Sequence, residues 1–260
     1  MKTPIYLLIL LISASNFSAA QESPSYSKEL YTSQNDTLPY RLLLPKNYKK
    51  NKKYPLLIFL HGSGERGNDN EAQLVHGSTL FLDQKVRDEF PAIVVFPQCK
   101  ANASWNSVRY GEENGRRVFN FPSAPEANKQ LELVEELMDF FLKNYKIDNE
   151  RIYLGGLSMG GMGAFELLLR NPDTFAAVFP ICGGANPETA STIKNTPLWI
   201  FHGAEDAVVP PKYSQDIYQA LKKENARVQF TMYPNVGHDS WTPAFAEAQL
   251  LPWLFSNKRK

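Results

Sequence analysis

Five short, nearly unbroken apolar runs set the strongest limit on what this chain can fold into: Pro55 to Leu60, Ala92 to Phe96, Arg151 to Gly155, Ala176 to Ile181 and Leu198 to Phe201. A strand wetted on one face alternates apolar with polar residues, whereas a strand covered on both faces is apolar throughout. These runs therefore predict a sheet buried on both sides. The covering layers are legible between them. Leu131, Val134, Leu137, Met138, Phe141 and Leu142 recur at helical spacing, Gly161 to Arg170 forms a second helical segment stopped by Asn171-Pro172, and Tyr213 to Glu224 forms a third. Strands alternating with helices define the α/β class, with a mainly parallel central sheet and helices on both faces. Ahead of them, Lys28 to Ser33 and Thr37 to Leu44 flank the turn-forming cluster Gln34-Asn35-Asp36 and predict an opening antiparallel β-hairpin.

A chain of 260 residues, 43% of them hydrophobic, can bury one substantial core. Lys2, the apolar run Ile5 to Ile12 and the ending Ser18-Ala19-Ala20 have the layout of a cleavable signal peptide. Residues 1–20 are thus expected to be a leader and 21–260 a single α/β domain, secreted or periplasmic. The leader's apolar run is too short to span a bilayer, which takes roughly 20 residues, and no later segment is apolar enough, so no integral membrane segment is expected after cleavage. Lys plus Arg number 28 against 27 Asp plus Glu, a balance that gives no reason to expect a nucleic-acid partner. Cys99 and Cys182 follow separate predicted strands and are expected to be free and buried.

Gly156-Leu157-Ser158-Met159-Gly160 lies directly after the run Arg151 to Gly155 and directly before a helix. A serine hydroxyl is a weak nucleophile and must be presented on a sharp strand-to-helix turn, which flanking glycines permit. The fold that carries such an elbow places an acid and then a histidine downstream. Of the four histidines, His61 and His76 precede Ser158, and His202 lies within a strand-like run as a structural residue. His238 remains, in the turn-like Asn235-Val236-Gly237-His238 after the run Gln229 to Tyr233. The acid is expected at Asp206, after Phe201-His202-Gly203-Ala204-Glu205, with Glu205 as its competitor. Its task is to fix the histidine tautomer and stabilise the imidazolium. The glycine-rich turn Leu60-His61-Gly62-Ser63-Gly64-Glu65-Arg66-Gly67 follows a buried strand and lacks the Lys-Ser or Lys-Thr pair of a phosphate-binding loop. The amides of Ser63 and Met159 are therefore expected to form an oxyanion hole.

These pieces, together with Tyr40-Arg41-Leu42-Leu43-Leu44-Pro45 and Gly237-His238-Asp239-Ser240-Trp241, resemble the α/β-hydrolase superfamily. The match is to its esterase branch of predicted peptidases, phospholipase/carboxylesterases and dienelactone-hydrolase-like proteins, and it covers nearly all of the chain after the leader. The resemblance implies a carboxylic-ester hydrolase acting through an acyl-enzyme on a small-molecule or polymer-attached ester. A serine peptidase using the same groups is the alternative, and a non-catalytic binding protein a more distant one. No metal or organic cofactor is expected, because the chain supplies nucleophile, base and oxyanion donors. The segment Gln98 to Pro125 is too long for an ordinary connection and is a candidate functional loop. Trp105 within it, and Trp241 beyond His238, are candidate substrate contacts.

Overall fold

The structure, a computed structural model, describes residues 25–34, 36–124 and 126–259. The expected leader lies outside these residues, as does Asn35 of the first turn. Along the chain run β1 (Ser27–Thr32), β2 (Thr37–Leu43), β3 (Tyr54–Leu60), α1 (Ser78–Leu82), α2 (Gln84–Glu89), β4 (Ile93–Pro97), β5 (Arg109–Glu113), β6 (Arg116–Asn120) and α3 (Lys129–Asn144). There follow β7 (Ile147–Leu157), α4 (Met159–Arg170), β8 (Ala177–Ile181), α5 (Ala190–Ile193), β9 (Leu198–Gly203), α6 (Lys212–Lys223), β10 (Val228–Tyr233), α7 (Trp241–Phe245) and α8 (Leu250–Ser256).

Eight strands form one sheet in the order β1-β2-β4-β3-β7-β8-β9-β10. The predicted hairpin is present: β1 pairs antiparallel with β2, and β2 antiparallel with β4, while every pairing from β4 to β10 is parallel. Each predicted apolar run coincides with a strand, and apart from Arg151 every residue of the five runs is buried, because both faces are covered. Leu56, Ile58 and Leu60 of β3 face one core with Leu131, Leu137 and Phe141 of α3 and Ile217 and Leu221 of α6. Leu57 and Phe59, pointing the other way, face a second core with Phe81 of α1, Ala244 of α7 and Leu250 and Leu254 of α8. Phe59 there packs against Phe96, Phe179 and Phe245 at centroid distances of 5.3, 5.8 and 5.5 Å. Burying each such ring contributes about 1.5–3 kcal/mol. Parallel strands all point their C-terminal ends to one edge, so the loops after β3, β7, β8, β9 and β10 gather there, and the candidate residues with them.

The segment after β4 departs from the sequence reading by containing order of its own. β5 and β6 pair antiparallel from Arg109↔Asn120 to Glu113↔Arg116. Asn114 and Gly115 join them, both with positive φ (53° and 72°), as a tight hairpin turn requires. The Asn-Gly pair is the local signal that identifies this ribbon.

Candidate active site

Ser158 is set by backbone geometry before any side chain acts. It has φ 53° and ψ −117°, a conformation that a non-glycine residue holds only when its surroundings impose it. Those surroundings are crowded. The Ser158 N–H donates to Ile181 O (2.9 Å), and a Cβ on Gly156 or Gly160 would collide with the backbone of Gly160 or of Leu60. One on Gly161 would stand 2.5 Å from Ile181 O. Glycines at these three positions let β7 turn directly into α4 against the end of β3, leaving the Ser158 hydroxyl above the sheet.

The loop bearing His238 is placed the same way. A Cβ on Gly203 would strike the carbonyls of Val236 and Gly237, while Ala204 N–H donates to Tyr233 O and Glu205 N–H to Val236 O, both at 2.9 Å. This packing carries His238 back across the sheet edge to Ser158, 80 residues distant in sequence, with Ser158 Oγ to His238 Nε2 at 2.8 Å. His238 Nδ1 lies 2.7 Å from Asp206 Oδ2. Because a carboxylate only accepts, Nδ1 carries the proton and Nε2 is free to accept from the serine hydroxyl.

Asp206 is buried, and Glu205 beside it is exposed. Asp206 Oδ1 accepts from Val208 N–H (2.8 Å) and Val209 N–H (2.9 Å). Oδ2 accepts from His202 Nε2 (3.1 Å) as well as from His238. Burial opposes the carboxylate's charge, but the hydrogen bonds from His202, His238 and Val209 outweigh it and hold the carboxyl below the usual carboxylate range. The part played by His202 was not foreseen. Its side chain is fully buried, its Nε2 faces only acceptors (Asp206 Oδ2 and Val209 O at 2.9 Å), and its Nδ1 lies 2.8 Å from Ser214 Oγ. Nε2 therefore carries a proton and donates it towards Asp206. Its spacing of four residues from Asp206 in the loop was the available signal.

Ser63 and Met159 line, with Ser158, a single cavity of about 270 Å³. Met159 is the first residue of α4, and the leading N–H groups of a helix have no partner within it. Ser63 likewise opens a 3-10 turn whose first internal bond is made by Glu65 N–H to Gly62 O (3.3 Å). His61 anchors this loop: Nδ1 donates to Gly62 O (2.6 Å) and Nε2 accepts from Cys99 N–H (2.9 Å). Burial lowers its pKa to about 4, so it remains neutral. Cys99 and Cys182 are buried and free. The Cys182 thiol group lies within 4.8 Å of the Asp206 and His238 ligand atoms, and burial, assisted by the Asp206 charge, pushes its pKa up and keeps it protonated.

Of the two tryptophans expected to touch substrate, Trp105 is placed otherwise. Its side chain is fully buried, edge-on to His61 at 5.3 Å, and its backbone lies against Gly163 of α4, where a Cβ would come within 2.6 Å of Trp105 Cβ. It pins the long loop to the body instead of facing the cavity. Ser107 fastens the same loop, donating from its N–H and Oγ to the buried Glu166 carboxylate, each at 2.7 Å. Trp241 is half-buried and stands edge-on to His238 at 5.4 Å, with His76 at 4.9 Å, outside the cavity lining.

A mostly parallel sheet with this sharp strand-to-helix turn at Ser158 and these loops defines the α/β-hydrolase fold. The chain belongs to the phospholipase/carboxylesterase family, which matches it over residues 47–250. Among solved structures, a thermostable esterase superimposes with a TM-score of 0.81 at 34% identity, covering 90% of this chain and 64% of the other. A probable carboxylesterase of Oryza sativa subsp. japonica is 27% identical over 202 residues, 71% of this chain and 81% of that protein. The bifunctional acetylxylan esterase/xylanase of Neocallimastix patriciarum is 29% identical over 201 residues, 74% of this chain but 25% of that protein. The chain thus spans about a quarter of the length of this last relative. Among the described residues, no helix is long and apolar enough to cross a membrane.

Proposed function

We propose that the chain is an exported serine esterase in which Ser158, His238 and Asp206 act as nucleophile, base and orienting acid. The observation that carries this reading is the unbroken hydrogen-bond chain from Ser158 Oγ through His238 to Asp206 Oδ2, at 2.8 and 2.7 Å. As Ser158 Oγ attacks the ester carbonyl, its proton passes to His238 Nε2, and the charge created on the imidazole is met by Asp206. The carbonyl oxygen, now an anion, is received by the N–H groups of Ser63 and Met159. Loss of one such donor costs about 10² to 10³ in rate. Collapse expels the alcohol, which takes the proton from His238. Water then repeats the sequence on the acyl-enzyme and regenerates the serine. Export is supported by the leader-like composition of residues 1–20. The relatives named for carboxylesterase and acetylxylan esterase activity support an ester on a small molecule or a polymer as substrate.

The test is release of 4-nitrophenolate from short acyl esters, set beside hydrolysis of peptide anilides, by wild type and Ser158→Ala. Esters are expected to turn over and anilides not, with the variant folded and its kcat reduced by about 10⁶. Undiminished turnover by the purified variant overturns the assignment.

A further inference from the structure

The cavity that opens at Ser158 carries an unusual distribution of charge. Arg66, Arg117, Tyr110, Phe119 and Val209 are among its lining residues, and no carboxylate is. Three arginines elsewhere are ion-paired, Arg109 with Glu126, Arg151 with Asp148 and Arg170 with Glu135, while Arg87 and Arg259 donate to the backbone carbonyls of Leu44 and Asp173. Arg66, at the cavity, is oriented by two uncharged acceptors, Nε donating to Ser63 O (2.9 Å) and an Nη to Ala103 O (3.1 Å). These bonds aim the guanidinium without cancelling its charge. Arg117 lies over the ring of Tyr110 at 4.4 Å and that of Phe119 at 5.3 Å. Glu112 stands directly across the β5–β6 ladder from Arg117, yet it is not among the cavity's lining residues.

The wall that bears Arg117 is held in place. Phe119 is buried with Met162 of α4 and Val209 of the Asp206 loop, and its N–H donates to Tyr213 Oη (3.0 Å). A cavity beside a nucleophile with two guanidiniums, aromatic walls and no acid matches a ligand that is apolar along its length and anionic at one end. Arginine's planar fork binds carboxylate and phosphate oxygens in pairs, and here it is already oriented.

We propose that this cavity is a subsite for esters carrying a fixed negative charge, a carboxylate or phosphate, near the scissile bond. Arg66 and Arg117 hold the anion, and Tyr110 and Phe119 flank the uncharged stretch between anion and ester. The proposal rests on the reading of Ser158 as an esterase nucleophile, and it selects a substrate class within that activity.

The experiment compares matched pairs of esters. On the acyl side, mono-4-nitrophenyl adipate is set against 4-nitrophenyl hexanoate, with spontaneous hydrolysis subtracted. On the alcohol side, butyryl glycerol phosphate is set against butyryl glycerol, with butyrate release followed by titration. The anionic member of at least one pair is expected to have a kcat/KM roughly tenfold higher at low salt, mainly through KM. The arm that shows the preference identifies the end of the ester that carries the anion. The preference should shrink as sodium chloride is raised. Arg117→Gln should bring the ratio to within about threefold of unity, and Arg117→Glu below unity. Arg66 is left intact because its bonds to Ser63 O and Ala103 O hold the loop. A ratio near one in both pairs, or a preference that Arg117→Glu leaves unchanged, overturns the proposal. Failure to hydrolyse even the neutral esters instead counts against the Ser158 reading.

Discussion

Around Ser158 the backbone leaves no room for a side chain at Gly156, Gly160 or Gly161, whereas a Cβ on Gly111 in the β5–β6 ribbon facing the same cavity meets nothing closer than 3.6 Å. The elbow is wedged between β3, β7 and β8, strands buried at their C-terminal ends, and its geometry is imposed by contacts that cannot give. The ribbon pairs only with itself, exposes every residue of β5, and reaches the body through the Phe119 cluster. On the proposed reading, chemistry that depends on tenths of an ångström sits on the first kind of structure, and selection among substrates, which tolerates change, on the second.

That contrast can be broken at several points. Beyond Ser158→Ala, the largest effect is expected of Asp206→Asn, which should cut kcat by about 10⁴ by favouring the wrong His238 tautomer. Glu205→Gln, at an exposed neighbour one residue away, should leave kcat within about twofold, since exposed substitutions of this kind disturb little. Steady-state rates on one short acyl ester distinguish the two, and the reverse pattern transfers the role to Glu205.

The packing half of the comparison is tested by stability. Gly160→Ala forces a methyl group against the Leu60 and His61 carbonyls and should cost about 3 kcal/mol or more, whereas Gly111→Ala should stay within about 0.5 kcal/mol. Denaturant midpoints measure both, and equal values remove the distinction between a wedged elbow and a tolerant ribbon.

His202→Phe keeps a ring in the buried site and deletes the donor to Asp206. Loss of that charge-assisted bond should lower kcat/KM about tenfold. A stability loss with kcat/KM unchanged makes His202 structural alone.

The smallest expected effect follows from the lowered pKa of Asp206. A carboxyl held below its unfolded value contributes stability that is fully present above pH ~4 and is lost as the pH falls through the lower folded value. Between pH 7 and pH 2, wild type should therefore lose stability to urea more steeply than Asp206→Asn. Parallel curves for the two count against the hydrogen-bonded carboxylate.

The amino-acid sequence by itself determined the strands of the large sheet, the three long helices, the opening hairpin and the sharp turn at Ser158. Each of these is written in local terms: an apolar run of five or six residues, a 3.6-residue period, a glycine at a turn. The β5–β6 ribbon was legible only at its Asn114-Gly115 turn, because β5 is exposed and carries no apolar alternation. What tertiary structure alone decided are meetings between residues distant along the chain or turned by the fold. They include the insertion of β4 between β2 and β3, the withdrawal of Trp105 from the cavity to a buried place beside His61, and the convergence of His202 and His238 on one oxygen of Asp206. A side chain's partners depend on which strands lie side by side and which way a loop turns, and those choices are made by the burial of the whole sheet, not by the residues that later use them.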